Sequence, residues 1–490
     1  MQVIFASLLF PSSHLPVPTT PTDQVQRYLP WLVAVALFME NLDATIVNTA
    51  VPVMAENLQV APLALKAVMT SYTLSLAVFI PVSGWMADRF GTRKVFLQAV
   101  SVFALGSLLC GLAVNVPMLV ASRILQGMGG AMMTPVGRIA LVRTFPRSDL
   151  IRTMNYVIIP ALIGPMIGPF LGGVIVHWLH WRIIFFINLP FAFAGLWLVR
   201  RYMPDYRDEN SHPLDRTGFL LFGAGIALLS YVLEVFGEHS LAAGKLSLMT
   251  AGSLFLLAAY GWHSRRTDQP LLALWLFGRR TFRLSVLGGF FTRLGVGGMP
   301  FLLPLLYQLG LGYAPWQAGL LTMPTAAAAI LMKISSQSLL ARFGHRSILI
   351  VNTLLIGVVI LLFTQIGPGA PVWAILLLSF CQGFFMSLQF TSMNSLVYAD
   401  VADRDASKAS SIASTSQQLS FSFGVAFASL VAGWFLRGLD QTNPAEVVPA
   451  LHIAFLTMGT LVMLSSTTYW WLRRDDGNNV SNRRSSVSAG

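Results

Sequence analysis

Long apolar stretches, interrupted by short polar segments, run along almost the whole chain. Each stretch has about twenty residues, the length that an α-helix needs to cross the roughly 30 Å hydrocarbon core of a bilayer. The pattern predicts fourteen membrane-spanning helices, near residues 29–51, 66–86, 95–114, 117–137, 154–178, 183–202, 217–236, 245–263, 284–310, 315–340, 347–366, 371–397, 411–436 and 449–472. We therefore expect an all-α protein that crosses the membrane many times.

The composition excludes an ordinary soluble protein. Of the 490 residues, 55% are hydrophobic and only 11% are charged, whereas soluble domains are about one quarter charged. The net charge of +12 would suit a nucleic-acid partner, but most of the 32 Lys and Arg residues fall in segments on one side of the predicted spans. This is the positive-inside pattern, which predicts that both termini are cytoplasmic and removes the support for nucleic-acid binding.

Two short motifs recur at nearly the same offset. The segment RFGTR at 89–93 returns as RFGHR at 342–346, and Gln126-Gly127 returns as Gln382-Gly383. Their equivalent places relative to the predicted spans indicate a parallel duplication of six helices. Two six-helix bundles that face each other across a central cavity are typical of transporters that alternate between two open states.

The duplication divides the chain into seven segments. A flexible cytoplasmic tail is expected at 1–28, and the two six-helix bundles at 29–202 and 284–472. The remaining segments are a cytoplasmic linker at 203–216, two inserted transmembrane helices within 217–263, a second linker at 264–283 and a cytoplasmic tail at 473–490.

Several segments carry motifs of a known family. Residues 42–52 read LDATIVNTAVP, similar to the signature LDxTIVNxALP, and 84–94 read GWMADRFGTRK, similar to the loop motif GxLADRxGRK. Arg123 followed by QGMGG resembles a fourth-span motif, and GPMIGPFLGG at 164–173 resembles a fifth-span antiporter motif. With the Ser- and Gln-rich segment 410–420, these motifs make the chain resemble the major facilitator superfamily, in its fourteen-span drug:proton antiporter branch (DHA2) and most closely the MdtD-type multidrug transporters.

The resemblance implies a major facilitator fold, with two six-helix bundles and two inserted helices. It also implies a proton-coupled multidrug efflux transporter of the bacterial inner membrane that works by alternating access. Its partners would be small amphipathic substrates, protons and the lipid bilayer. The proton gradient would drive it without ATP or a cofactor, and the protein would be a monomer. Two residues depart from the family pattern: Glu40 stands where a neutral residue is expected, and Thr92 replaces a small or basic residue.

Two acidic residues lie well inside the first predicted span. Glu40 and Asp43 are three residues apart and therefore share one helix face, and an ionised carboxylate is costly at that depth. We expect a proton-coupling role for Asp43 and Glu40, with Arg123 of the fourth span as the partner that Asp43 binds and releases. A permanent structural ion pair, or an acidic residue that only lines the cavity, is the alternative.

Two cations lie inside spans of the second half. Arg293 and Lys333 are expected to face the central cavity, where they would attract an anionic group of a substrate. Salt bridges to Glu40 or Glu234 across the interface are the alternative. The many Gly and Pro residues between 288 and 304 predict a bent or broken helix near Arg293.

The loop motif is expected to act as a conformational latch for the outward-facing state. Its candidate residues are Gly84, which would permit close helix approach, with Asp88, Arg89, Gly91 and Arg93. We expect Asp88 to cap the N-terminus of a helix, such as the Ser-rich start of the thirteenth span, and to pair with Arg89 or Arg93. An ordinary solvated charge cluster is the alternative.

The antiporter motif is expected to be a packing hinge without chemistry of its own. Glycine permits close helix approach, and proline removes backbone hydrogen bonds and bends the helix. The residues assigned to this hinge are Gly164, Pro165, Gly168, Pro169 and Gly172.

Enzyme motifs are missing from the sequence. It contains no HExxH, Walker A or GxSxG segment, so neither hydrolytic catalysis nor ATP hydrolysis is expected. His177 and His180 have a spacing that could hold a metal, but no acidic or thiol residue accompanies them, and no metal site is expected. A selective exporter of an anionic metabolite or metal chelate, motivated by Arg293 and Lys333, is one alternative function. A receptor or scaffold that has lost transport is another.

Overall fold

The computed structural model describes residues 23–208, 212–236, 243–437, 439 and 443–481. The described residues are almost entirely helical and contain no β-strand. The first part of the chain forms α1 (Asp23–Ile46), α2 (Val51–Asn57), α3 (Lys66–Phe90), α4 (Thr92–Gly111), α5 (Val116–Thr144), α6 (Arg147–Trp178), α7 (Ile183–Phe186) and α8 (Asn188–Tyr202). The inserted pair is α9 (Arg216–Phe236) and α10 (Ala243–Ser264).

The second half contains the remaining helices. They are α11 (Arg280–Gly297), α12 (Met299–Leu305), α13 (Pro315–Leu362), α14 (Val372–Leu396), α15 (Ala406–Phe435), α16 (Pro444–Ser465) and α17 (Asn478–Ser481). A π-helical segment, Leu306–Gly310, follows α12. Short 3₁₀ segments precede or follow several helices, at Pro62–Leu65, Leu274–Gly278, Phe363–Gln365, Asp403–Asp405 and Ser466–Trp471.

Eleven helical segments within the described residues are long and apolar enough to span a membrane. One of them, Pro315–Gln365, is 51 residues long and corresponds to two predicted spans. The predicted spans at 117–137 and 245–263 fall on α5 and α10, which are not among the eleven. The helices are consistent with fourteen spans, and that number stays a prediction.

The two copies of the duplicated loop share one backbone conformation. Gly91 separates α3 from α4 with φ +94°, and Gly344 interrupts α13 with φ +75°. Only glycine adopts this region without a steric penalty, so the same residue ends a helix at the same place in both halves. The shared conformation is what a duplicated loop would produce.

The described segments differ from the expected boundaries at both ends. Helix α1 begins at Asp23, so residues 23–28 belong to a helix and not to a flexible tail. At the other end α17 follows the last long helix, and Arg280 donates to Asp476 at 2.5 Å. The remainder of both tails, 1–22 and 482–490, lies outside the described residues.

The two ends of the bundles are distinguished by their loops. Asp88, Arg143 and the segment that follows Tyr202 lie together at one end of the first half, which we call the basic side. Ile46, Gly111 and Trp178 end helices at the other end, which we call the opposite side.

Hydrophobic contacts close the molecule on the opposite side. One core cluster there joins the halves, with Val51 and Leu65 from the first and Tyr307 and Ala318 from the second. Gln308 donates to the Thr49 carbonyl at 2.9 Å across the same interface. Toward the basic side each half also has clusters of its own. The halves therefore share one continuous core at the opposite side, whereas toward the basic side their cores are separate except along α3 and α15.

The inserted helices lie where the halves adjoin along α3 and α15. Apolar residues of α9 and α10 form one cluster with Ala77 of α3 and Ile412 of α15. Ser253 of α10 donates to the Gly225 carbonyl of α9 at 2.9 Å, and Lys66 of α3 donates to the Glu234 carbonyl at 3.0 Å. The pair is thus attached to both halves.

Candidate functional site

Asp43 is the centre of a buried polar cluster in the first half. Its side chain is fully buried and accepts hydrogen bonds from three side chains. Arg123 donates to Oδ2 at 2.5 Å, Gln126 donates to Oδ1 at 2.8 Å, and Asn188 donates to Oδ1 at 2.7 Å. An ionised carboxylate only accepts hydrogen bonds, so three donors are the surroundings that suit its charged form.

Arg123 is held from several directions. It is 1% exposed, and besides Asp43 its guanidinium donates to the Val68 carbonyl at 3.2 Å and to Gln126 Oε1 at 2.8 Å. The Tyr72 ring centroid lies 4.2 Å from its Cζ, within cation–π range. The pair therefore connects α1, α3 and α5, and removal of either charge would leave the other buried without compensation, at a cost of about 3–5 kcal/mol.

The amide groups in this cluster were not among the predicted site residues. Asn188 also donates to Ser107 Oγ at 3.0 Å, and Ser107 donates to the Phe185 carbonyl at 2.8 Å, which extends the cluster to α4 and α7. The Tyr72 hydroxyl is buried without a hydrogen-bond partner. A buried amide in an apolar span is the signal that could have pointed to Gln126 and Asn188.

Glu40 lies one helical turn from Asp43, toward the basic side. It is partly exposed, and Thr134 of α5 donates to its Oε2 at 2.5 Å. Arg138, four residues after Thr134, is exposed. Polar groups thus follow one another from the buried Asp43 to the open end of the bundle.

The glycines of the antiporter motif lie against α1. A Cβ atom at Gly164 would lie 3.0 Å from the Leu42 backbone nitrogen, and one at Gly172 would collide with the Ile46 carbonyl. Thr49 donates to the Pro169 carbonyl at 2.7 Å. The backbones of α1 and α6 therefore touch, which is the close packing expected of this segment.

The same stretch of α6 also contacts the second half. A Cβ atom at Gly173 would collide with the Pro315 carbonyl of α13, and one at Gly319 would collide with the Pro169 carbonyl. Trp178 and Trp316 have ring centroids 6.2 Å apart beside this contact. The motif thus lies between α1, which carries Asp43, and the surface that closes the opposite side.

The predicted partners of Asp88 are wrong for this conformation. Asp88 accepts a hydrogen bond from Arg143 of α5 at 2.8 Å, and neither Arg89 nor Arg93 pairs with it. The start of α15 has no side-chain cap. The helix that Asp88 was expected to cap lies in the other half, and Asp88 does not cap it in this conformation.

The remaining residues of the loop motif take different positions. A Cβ atom at Gly84 would meet nothing within 4 Å, so no helix approaches there, contrary to the expectation. Arg89 and Arg93 are exposed. A Cβ atom at Gly91 would collide with the Asp205 side chain, so this glycine permits the loop to pack against the segment after α8.

Thr92, which departs from the family pattern, is fully buried in that packing. Its hydroxyl donates to the Pro204 carbonyl at 3.0 Å and accepts from the Tyr206 backbone N–H at 3.0 Å. Its own N–H donates to the Tyr206 carbonyl at 3.0 Å. Thr92 therefore fixes the segment after α8 to the loop.

Arg293 is 5% exposed, and the alternative salt bridges to Glu40 or Glu234 are not among its contacts in this conformation. Its Nη2 donates to Asn394 Oδ1 at 2.8 Å, and its Cζ lies 5.1 Å from the Phe390 ring centroid. The predicted break in the helix lies at Gly298, between α11 and α12, more than one turn beyond Arg293.

Lys333 is exposed on α13 and forms no ion pair with any described residue. It follows Ala329 by four residues, and the Ala329 carbonyl accepts from Ser387 of α14 at 2.7 Å. Residues four apart lie on one helix face, so Lys333 lies on the side of α13 that is turned toward α14.

Within the described residues no group of three or more His, Cys, Asp and Glu side chains could hold a metal ion. His177 packs edge-on against Trp178, with ring centroids 4.6 Å apart. His180 lies beside Arg182, and burial followed by the charge of that guanidinium lowers the pKa of its imidazole.

Comparison with known proteins agrees with this architecture. A family model described as the Major Facilitator Superfamily matches residues 33–424 and 285–487. The chain is 38% identical over 449 residues to a protein of Cronobacter sakazakii named as a multidrug resistance protein, MdtD, and the match covers 91% of this chain and 94% of that protein. A protein of the same name from Serratia proteamaculans is 38% identical over 435 residues, with 89% and 90% covered.

Solved structures resemble the chain at low sequence identity. A transporter of the POT family, PepTSo, has a TM-score of 0.67 at 14% identity, with 91% of this chain and 97% of that chain covered. A bacterial homologue of the human lysosomal transporter Spinster, inward-facing and unoccupied, has a TM-score of 0.64 at 14% identity, with 95% and 100% covered. A D-xylose–proton symporter has a TM-score of 0.64 at 15% identity, with 92% and 99% covered. These likenesses show the fold.

Proposed function

The chain belongs to the major facilitator superfamily, and from that premise we propose that it exports amphipathic compounds in exchange for protons by alternating access. Its relatives at 38% identity bear the name of multidrug resistance proteins, which supports multidrug efflux as the function. The observation that carries the coupling is Asp43, a fully buried carboxylate at the contact of three helices.

Placement in the bacterial inner membrane is part of the proposal. The basic loops support a cytoplasmic basic side, with both termini in the cytoplasm, by the positive-inside rule. The monomeric state is also part of the proposal. The described conformation is then inward-facing, since the halves meet at the opposite side.

In this conformation Asp43 is ionised and paired with Arg123. When the opposite side opens, a proton from that side neutralises Asp43 and weakens the charge-assisted bond to Arg123. Because α1 packs on the glycines of α6, a change at Asp43 reaches the helix whose contact with α13 closes the opposite side. The return to the inward-facing conformation then restores the ion pair and expels the proton toward Glu40 and the basic side.

The proposal is tested with Asp43→Asn in proteoliposomes. Ethidium, a fluorescent cationic amphiphile, is followed with and without an imposed pH gradient, and Glu56→Gln serves as the control because Glu56 is an exposed carboxylate on the opposite side. We expect Asp43→Asn to bind ethidium but lose the acceleration by the pH gradient, while Glu56→Gln keeps it. Proton-driven transport at the wild-type rate by Asp43→Asn would refute the assignment.

A further inference from the structure

The second half holds buried positive charge without negative charge to balance it. Its six predicted spans contain Arg293 and Lys333 and not one Asp or Glu, whereas the first span alone contains Glu40 and Asp43. Intramembrane charges normally pair, because an unpaired one is costly in a low-dielectric environment. An ion that belongs to the transported ligand would supply the missing partner.

Arg293 is held in place but not neutralised. Of its groups, Nη2 donates to the neutral Asn394, while Nε is buried without a hydrogen-bond partner. Phe390 lies against the guanidinium at 5.1 Å and is itself packed edge-on against Phe421, with ring centroids 6.0 Å apart. The guanidinium therefore keeps unused hydrogen-bonding capacity next to an aromatic surface.

Space for the guanidinium is provided by a glycine. A Cβ atom at Gly289 would lie 2.7 Å from Arg293 Nη1, so any larger residue at that position would push the guanidinium aside. The same atom would lie 3.4 Å from Met393 Sδ. Gly289 thus fixes where the cation lies without contributing a charge.

Lys333 lies beside the groove between α13 and α14. Gly383 packs on the Thr325 carbonyl, and four residues later Ser387 bonds the Ala329 carbonyl. Continuing this register by four residues places Lys333 level with residue 391 of α14. Phe390 and Asn394 follow Gly383 by seven and eleven residues and share its helix face.

Asn394 and Lys333 are both exposed, so the groove between α13 and α14 is open at the level where Arg293 ends. We infer that Arg293, assisted by Lys333, binds an anionic group of the substrate while Phe390 contacts its aromatic part. This inference rests on the proposed transport function and adds amphipathic anions and zwitterions to the cationic amphiphiles that the transporter would carry. Arg293 suits this role because its planar fork donates two parallel hydrogen bonds to an oxyanion.

The test uses two dyes with the same aromatic skeleton. 8-Anilinonaphthalene-1-sulfonate carries a permanent negative charge, and N-phenyl-1-naphthylamine lacks the sulfonate. Saturable binding of each is measured by fluorescence to the full-length protein in lipid nanodiscs, after subtraction of empty nanodiscs. We expect the wild-type protein to bind the sulfonate more tightly, and Arg293→Gln to raise the Kd of the sulfonate at least tenfold while the Kd of the neutral dye stays within twofold.

Two further variants separate the charge from the fold. Gly289→Ala keeps every charge but displaces the guanidinium, so it should weaken sulfonate binding several-fold and leave the neutral dye unaffected. Arg279→Gln removes an exposed positive charge just before α11 and should change neither Kd. Lys333→Gln should weaken sulfonate binding less than Arg293→Gln, because Lys333 is the more hydrated of the two cations. Monodisperse elution of each variant verifies that it is folded.

The inference is overturned if the wild-type protein shows no saturable sulfonate binding, or if Arg293→Gln affects both dyes equally or neither. Equal loss for both dyes would mean that Arg293 acts on the structure and not on the anion. Ethidium efflux driven by a pH gradient is measured in parallel on the wild-type protein. If that efflux persists while the dye result fails, the proposed function stands without this substrate class, and if efflux fails, the proposed function falls whatever the dyes show.

Discussion

Glu40 lies three residues before Asp43 on α1, and of the two carboxylates only Glu40 is partly exposed. Asp43 is fully buried under three hydrogen-bond donors. Glu40 is partly exposed and accepts from a single hydroxyl, that of Thr134. A proton that leaves Asp43 toward the basic side therefore meets Glu40 first, which gives the departure from the family pattern at this position a specific role to test.

Substitution Glu40→Gln should slow proton release without abolishing coupling. Glutamine keeps the hydrogen bond to Thr134 but cannot carry a proton onward, so we expect the rate of ethidium efflux under a pH gradient to fall about threefold to tenfold. Thr134→Val is the companion variant, and it should have a smaller effect, since Glu40 would keep the carboxyl group that carries the proton. Stopped-flow measurement with a pH-sensitive dye inside the vesicles reports the proton flux directly. Unchanged proton flux in Glu40→Gln would show that Glu40 only lines the opening.

The sequence predicted the ion pair of Asp43 and Arg123 because charged residues are rare within apolar spans and must find partners there. Asp43 and Arg123 lie 80 residues apart and nevertheless join at 2.5 Å. Gln126 and Asn188, which complete the cluster, carry no charge, and their approach depends on how α5 and α8 pack against α1. A prediction based on charged residues therefore did not include these amides, although their hydrogen bonds to Asp43 are of similar length.

The predictions for Asp88 and Gly84, which depend on the conformational state, were wrong for this conformation. The sequence offers Asp88 two basic neighbours, yet its partner is Arg143, which comes from the far end of another helix. A Cβ atom at Gly84 would meet nothing within 4 Å, so no other helix touches that position in this conformation. The residues of this motif have different partners in different conformations of the transport cycle. The sequence alone therefore cannot predict which partners they contact in one particular conformation.

Gly172→Ala should disturb the hinge. The new methyl group would collide with the Ile46 carbonyl, a backbone atom that can move only with its helix, and would lie 2.9 Å from Thr49 Oγ1. Such overpacking costs about 1–3 kcal/mol, so we expect a lower melting temperature in detergent and slower transport. Gly195→Ala in α8 is the matched control, because nothing lies within 4 Å of its Cβ position. Equal melting temperatures for both variants would contradict a close α1–α6 contact.

Substitution Asp88→Ala tests whether Asp88 controls the conformational equilibrium. The Asp88 and Arg143 side chains are 36% and 35% exposed, and exposed pairs contribute about 0–1 kcal/mol. We therefore expect Asp88→Ala to change the melting temperature little but to change the conformational equilibrium. Its readout is maleimide labelling of Ile334→Cys, a position 79% exposed near the basic side, in a background with Cys381→Ser.

The double variant Asp88→Arg with Arg143→Asp distinguishes the two explanations. If the ion pair alone sets the equilibrium, the swap restores the wild-type labelling rate. If Asp88 must also cap α15 when the basic side closes, the swap does not restore it, because arginine cannot accept a hydrogen bond from a backbone N–H. Restored labelling would contradict a capping role of Asp88 in a latch.

Asp215 should make the inserted helices sensitive to acid. It caps α9 by accepting from the Gly218 N–H at 2.8 Å, and it also bonds His263 of α10 at 2.8 Å and the Leu271 N–H at 3.1 Å. Burial alone would raise the pKa of this carboxyl, but the bonds from His263, Gly218 and Leu271 outweigh it and lower the pKa. A lowered pKa contributes stability that is complete above the unfolded value of about 3.9 and is lost as the pH falls through the folded value.

Asp215→Asn should therefore unfold at a lower temperature at pH 7 and lose less stability than the wild-type protein as the pH falls below about 4. The asparagine amide can still accept from Gly218 but cannot satisfy Leu271 and His263 as the carboxylate does, which should cost about 1–3 kcal/mol. Thermal unfolding followed by tryptophan fluorescence across this pH range gives both quantities. Asp268→Asn, an exposed position in the following loop, is the control and should behave like the wild-type protein. If the wild-type protein and Asp215→Asn lose stability in parallel as the pH falls, the acid sensitivity arises elsewhere in the chain.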